Sequence, residues 1–287
     1  MSGPADPGSS PDGGTSTPPV ALTIAGSDSG GGAGIQADLV TFAALGVHGA
    51  SVITALTAQN TRGVDAVHVP PVAFLQAQFE SVLSDLPVLA TKTGMLATAE
   101  NVQVVADLAA RGRLHNLVVD PVLVSSTGAR LLDPGAEQAY LDELFPHALV
   151  VTPNSREVAA LLGREVVSVS DAVDAARELA RYGPWWVVVK GGHLTGAGTG
   201  DDAVDVVLEA MTGEITELRR PRVETRNDHG TGCTFAAATV AMLARGAGVP
   251  EALQAAKAFV HEGLVSSAAW NLGAGHGPVG KLAAWRP

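Results

Sequence analysis

Two kinds of apolar pattern alternate along this chain. Short, nearly continuous apolar runs at residues 20–25, 51–56, 88–90, 117–120, 148–151 and 185–190 have the length and density of strands buried on both faces. Between them lie amphipathic stretches of helical length at 34–45, 72–83, 98–111, 134–145, 154–162 and 170–182. Ser170 and Asp171 read as caps of the last of these, and Gly183-Pro184 closes it. Residues 202–208 and 214–218, joined by a turn through Thr212-Gly213, predict a hairpin at a sheet edge. Two Ala-rich helices, 232–245 and 250–271, finish the pattern. Strands that alternate with helices imply βαβ units, hence an α/β fold with a mainly parallel sheet covered on both faces. No repeat or internal linker interrupts 20–287, so a single domain is expected. Residues 1–19 stand apart. From Ser2 to Pro19 all but Ala5 are Ser, Gly, Pro, Asp or Thr, a composition that predicts a disordered tail.

Composition narrows the function classes. The 287 residues are 46% hydrophobic but only 4% aromatic, so the core is built from Ala, Val and Leu. A formal charge of -11 without a basic stripe argues against nucleic acid as a partner. No apolar run reaches the length of a membrane span. The single cysteine, Cys233, cannot form an intramolecular disulfide and fits a reducing cytoplasm. Four lysines, Lys92, Lys190, Lys257 and Lys281, stand against fourteen arginines. That imbalance suggests places where a compact ammonium serves and a planar guanidinium does not.

In an open parallel sheet, ligands gather at the carboxyl ends of strands, where the polar and glycine-rich segments of this chain fall. Gly26-Ser27-Asp28-Ser29-Gly30-Gly31-Gly32-Ala33-Gly34 lets backbone N–H groups approach an anion at a helix start. It is neither a Walker loop nor a dinucleotide fingerprint. Gly230-Thr231-Gly232-Cys233 opens an apolar helix and suits a transferring phosphoryl group. Cys233 in that first turn is either a thiol whose pKa the dipole lowers, hence a proton acceptor, or a small buried hydrophobe. Asp120, Asn154 and Glu157 offer oxygens to a hydrated Mg²⁺ beside phosphates, although Asn154 and Glu157 also read as a helix cap and its capping-box partner. The eight histidines and one cysteine show no zinc spacing.

Together these segments resemble the hydroxymethylpyrimidine/phosphomethylpyrimidine kinases of thiamin biosynthesis, within the ribokinase-like superfamily. The resemblance runs over residues 21–278. It rests on the glycine-rich segment through Asp38, Thr57-Ala58-Gln59-Asn60-Thr61, Lys92-Thr93-Gly94-Met95-Leu96, Asp120-Pro121-Val122, Thr152-Pro153-Asn154 with Glu157, Lys190-Gly191-Gly192-His193, His229-Gly230-Thr231-Gly232-Cys233-Thr234 and Gly275-His276-Gly277-Pro278. It implies a ribokinase-like three-layer sandwich without a large lid domain, and an ATP- and Mg²⁺-dependent kinase that is commonly a homodimer. By the same resemblance Cys233 is the base, and Gly230, Thr231 and Gly232 form the anion hole. Lys190, Lys257 and Asn154 lie by ATP, and Glu157 and Asp120 by the metal. Gln59, Met95, Gly26, Asp38 and Val122 lie by the pyrimidine, with the Gln59 amide making a two-point contact to the ring edge. Asp228 departs from the family's usual Thr. Its charge either opposes phosphate or binds a cation, and the sequence leaves both open. The nearest rival is a pyridoxal or pyridoxine kinase of the same fold, which Gln59 with Met95 disfavours. A non-catalytic pyrimidine-binding protein is the other alternative, and the retained Glu157, Lys190 and Cys233 argue against it.

Overall fold

The computed structural model describes residues 17–123, 131–133, 135–192 and 194–281. Most of the expected tail, the start of the expected 134–145 helix and His193 lie outside them.

Nine strands form one sheet in the order β3-β2-β1-β4-β5-β6-β7-β8-β9. The strands are β1 (Val20–Asp28), β2 (His48–Asn60), β3 (Gly63–His68), β4 (Val88–Thr93), β5 (Leu117–Val119), β6 (Val150–Val151), β7 (Trp186–Val189), β8 (Asp202–Glu209) and β9 (Ile215–Pro221). Pairing from β2 through β7 is parallel, and an antiparallel strand or hairpin closes each edge. The β8–β9 hairpin is where the sequence placed it. The β2–β3 hairpin is not in the sequence reading, because four of the six β3 residues are exposed and their pattern carries no core signature.

Helices cover both faces. Successive residues of a strand point to opposite sides, and β5 illustrates the consequence. Leu117 and Val119 enter one core beneath α2 (Val72–Leu83), α3 (Ala99–Ala110), α5 (Ser155–Leu162) and α6 (Val169–Ala180), while Val118 enters the other beneath α1 (Gly34–Ala44), α7 (Thr231–Ala244) and α8 (Val249–Ser267). The second core is rich in alanine, so α7 lies close against the sheet and against α8. Among the described residues no helix is long and apolar enough to cross a membrane.

Two local expectations change. The 134–145 stretch is not one α-helix. Its described part is a short α-turn, α4 (Glu137–Ala139), followed by a π-turn at Tyr140–Leu144 and a 3₁₀-turn at Phe145–His147. Pro146 has no N–H to extend a ladder of i→i−4 bonds. The cap of α6 is Ser168 rather than Ser170: Ser168 accepts from Asp171 N while Asp171 accepts from Ser168 N, a reciprocal capping box.

Candidate active site

The carboxyl ends of β1, β2, β4, β5, β6 and β7 open on one cavity of about 260 Å³. Strand order reverses at β1, where the neighbours are β2 on one side and β4 on the other, and such a switch point leaves a crevice between diverging connections. Of the site residues read from sequence, Gly26, Gln59, Met95, Asp120, Val122, Asn154, Glu157, Lys190, Gly230, Thr231, Gly232 and Cys233 all line it. Asp38 and Lys257 do not.

One wall is charged. Lys190 Nζ donates to Asp120 Oδ1 at 2.6 Å and stands 4.0 Å from Glu157 Oε2. Burial opposes its charge, but Asp120 and Glu157 outweigh burial and hold the ammonium above its ordinary value. Glu157 is pushed up to about 7, chiefly by burial and against the pull of Lys190. Asn154 caps α5, its side-chain oxygen accepting from Arg156 N and Glu157 N, while Glu157 accepts from Asn154 N. The cap reading of Asn154 is therefore realised and its oxygen is occupied. Among the described residues Asp120 Oδ2 and Glu157 Oε1 have no hydrogen-bond partner, whereas Asp120 Oδ1 also accepts from Thr152. Two carboxylate oxygens facing a phosphate-sized cavity fit a mostly hydrated Mg²⁺. A cage of three or more His, Cys, Asp or Glu side chains is absent among the described residues.

The start of α7 adjoins this wall, a Cβ on Gly232 standing 3.0 Å from Lys190 Nζ. Gly230 turns into the helix with φ 83, the left-handed region where glycine has no Cβ penalty, and a Cβ there would overlap the Gly32 carbonyl. No side chain caps α7; Thr231 N–H donates to the Asp228 carbonyl at 3.2 Å, and the N–H groups of Gly232 and Cys233 remain available to an anion. Cys233 lies in this first turn, yet burial pushes its thiol up, against the lowering effect of Lys92 and with Asp38 and Asp120 adding to the rise. Of the two sequence readings of Cys233, the lowered thiol pKa does not hold: burial, with Asp38 and Asp120, outweighs Lys92.

The third side suits a flat ring. Met95 Sδ stands 3.1 Å from where a Cβ on Gly26 would be, so the missing side chain at Gly26 admits the thioether, with Val122 beside it. Asp38 belongs beneath this floor. It is fully buried, both its oxygens lie within 2.9 Å of Lys92 Nζ, and Oδ2 also accepts from Thr23. Lys257 is engaged by Asp205 Oδ2 at 2.8 Å, and Asp205 Oδ1 accepts from Gly191 N next to Lys190. All four lysines are buried. Three pair with aspartates, and Lys281 donates to the Gly32 and Val279 carbonyls. This is the physical content of their scarcity.

Sequence reasoning missed Asp28 and His229. Asp28 accepts from the N–H groups of Gly30, Gly32 and Ala33 and lies 3.0 Å from His229 Nε2, so one carboxylate shapes the glycine-rich loop. An Asp two residues before a Gly was the available signal. The unusual Asp228 meets a hydrogen-bond partner within the chain, His276 Nδ1 at 2.8 Å from its Oδ1.

A family model described as phosphomethylpyrimidine kinase matches residues 28–280. The chain is 48% identical to a hydroxymethylpyrimidine/phosphomethylpyrimidine kinase of Rhizobium meliloti, over 93% of this chain and 98% of that one. Its fold is similar to pyridoxal kinase from Staphylococcus aureus in complex with AMP-PCP and pyridoxal, with TM-score 0.83, 35% identity and coverage of 94% and 96% of the two chains. It is also similar to phosphomethylpyrimidine kinase from Clostridium difficile, with TM-score 0.73, 38% identity and coverage of 85% and 98%.

Proposed function

The chain belongs to the phosphomethylpyrimidine kinase family, and on that premise we infer that it moves the γ-phosphoryl group of ATP onto 4-amino-5-hydroxymethyl-2-methylpyrimidine and a second one onto the resulting monophosphate, in thiamin biosynthesis. One observation carries this reading: the uncapped start of α7 adjoins Lys190 and Asp120, beside Glu157, on the same cavity that Gln59 and Met95 line.

The substrate hydroxyl oxygen bonds to the γ-phosphorus as the bond to the β–γ bridging oxygen breaks, and ADP leaves. Such a transition state is loose, so positioning and electrostatics supply most of the acceleration. The N–H groups of residues 232 and 233 receive the equatorial oxygens, and the Lys190 ammonium faces their charge. Asp120 and Glu157 would hold Mg²⁺ through their remaining oxygens. When bound, that ion neutralises phosphate charge. The hydroxyl proton leaves late, passing to an oxygen of the transferred phosphoryl group, so a Cys233 thiol kept neutral by burial serves by accepting a hydrogen bond and aiming the hydroxyl. Gln59 and Met95 hold the ring edge and face. A homodimer and a cytoplasmic location complete the reading; light scattering on the purified protein tests the first, with a mass twice the 29.1 kDa chain expected.

The test is phosphate transfer from ATP to the aminopyrimidine alcohol, following mono- and diphosphate, with pyridoxal in parallel. Sequential formation of both pyrimidine products supports the reading. Pyridoxal phosphate as the sole product overturns the substrate and keeps the phosphotransfer chemistry.

A further inference from the structure

His229 Nε2 lies 3.0 Å from Asp28 Oδ2 and 3.3 Å from Gln59 Nε2. One ring nitrogen thus faces a carboxylate and an amide nitrogen at once. Asp28 also accepts from three backbone N–H groups, and its carboxyl is held below its ordinary value: burial works against ionisation, but His229 and the Ala33 and Gly30 N–H groups outweigh it. A carboxylate only accepts, so the proton between Asp28 and His229 sits on Nε2, whether the imidazole is neutral or charged. An amide N–H of Gln59 then has no lone pair to meet there.

Turning the Gln59 amide over resolves every contact. Oε1 then accepts from the shared His229 Nε2–H, and Nε2 donates to Thr57 Oγ1, which stands 3.2 Å from the other end of the amide. The Thr57 hydroxyl donates to the Ser27 carbonyl at 2.9 Å, so its oxygen is free to accept. We propose that His229 is a positioning residue that fixes the Gln59 amide with its oxygen toward His229 and its nitrogen toward Thr57, and thereby decides which ring edge the enzyme accepts. This rests on the aminopyrimidine kinase reading.

The amide keeps one lone pair on Oε1 and one hydrogen on Nε2 for the substrate. The exocyclic amino group of the ring therefore lies on the His229 side and the ring nitrogen on the Thr57 side. A 4-oxo pyrimidine presents the reverse order, an accepting oxygen beside a donating ring N–H, and meets acceptor against acceptor at Oε1 and donor against donor at Nε2. His229 holds its own place firmly. It is buried, its ring packs where a side chain on Gly32 would stand, and its N–H and C=O pair with Gly277 and Val279.

The experiment compares kcat/KM for the 4-amino and 4-oxo alcohols in wild type, His229→Ala and His229→Gln, with KM for ATP as a control on the phosphate side. In His229→Ala the amide is free to turn, and the amino-over-oxo preference falls about tenfold or more, the worth of one or two hydrogen bonds. His229→Gln, which restores a donor within reach of Asp28, recovers much of it. An unchanged ratio in a folded His229→Ala with wild-type KM for ATP overturns the assignment. A crystal structure of the wild type with the pyrimidine serves if that variant does not fold: an amino group on the Thr57 side overturns it, and one on the His229 side supports it. A wild type that never phosphorylates the aminopyrimidine overturns the activity reading and this inference with it, whereas turnover with the ring reversed overturns only the inference.

Discussion

Lys190 Nζ and Asp120 Oδ1 meet at 2.6 Å on the wall of the cavity, at the ends of two strands separated in the sheet only by β6. Their sequence separation is 70. The pair holds a cation where phosphate charge has to be received, and it also keeps two carboxylates from facing each other unscreened.

Lys190→Met should therefore damage both stability and nucleotide use. Leaving Asp120 and Glu157 buried without their cation costs about 3 kcal/mol, the lower end for a broken buried pair because the cavity admits water. Urea unfolding at neutral pH measures this loss, and a steep rise in KM for ATP accompanies it.

A Cβ on Gly232 would stand 3.0 Å from Lys190 Nζ and 3.8 Å from Asp120 Oδ2. Gly232→Asp places a carboxylate where the transferring phosphoryl group has to sit, and kcat/KM for ATP should fall about a thousandfold, as for loss of an anion-hole donor. Cys233→Ala should cost less, about tenfold, the worth of one hydrogen bond. Equal residual rates in the two folded variants would remove the basis for ranking the anion site above the thiol's aiming of the hydroxyl.

Burial raises the Cys233 thiol above its ordinary 9.0. Less thiolate is present at neutral pH than in a free thiol, so iodoacetamide should label it slowly there. The rate should climb through pH 9 without levelling, despite the opposing effect of Lys92 and in step with that of Asp38 and Asp120. A plateau below pH 8, read by mass spectrometry, would restore the dipole-activated thiol.

Asp28 carries the opposite sign. Its carboxyl sits below the ordinary 3.8, so its stabilising effect is complete above that value and is lost as pH falls through the folded-state value. Asp28→Asn should lower stability by about 1–2 kcal/mol at pH 7, as expected for weakened charge-assisted hydrogen bonds. The gap to wild type should stay constant down to about pH 4 and close below it. Urea titrations at a series of pH values decide this.

Asp38→Ala separates a buried pair from a substrate contact. Uncompensated Lys92 under the floor should cost about 3–5 kcal/mol, with KM for the pyrimidine nearly unchanged in the protein that remains folded.

The strands and most helices are legible in the sequence because each is a local apolar pattern, and the phosphate side is legible because its glycines and carboxylates cluster in short motifs. What is illegible is long-range pairing. Nothing near Asp38 marks Lys92, 54 positions away, as its partner, and nothing near His229 marks Asp28, 201 positions away. The end of β2 escapes for a related reason: Gln59 and Asn60 are polar because they face the cavity and the rim, which hides the strand they belong to.

Lys281 reaches back 249 positions to the Gly32 carbonyl, and His229 pairs with Gly277 and Val279 on the way. A ribosome that has released α8 has released every strand of the sheet but not the segment that braces the glycine-rich loop and the turn into α7. The nascent protein can therefore gather its core before it owns a finished cavity. Phosphate chemistry begins only once the last stretch of chain has folded back onto the first.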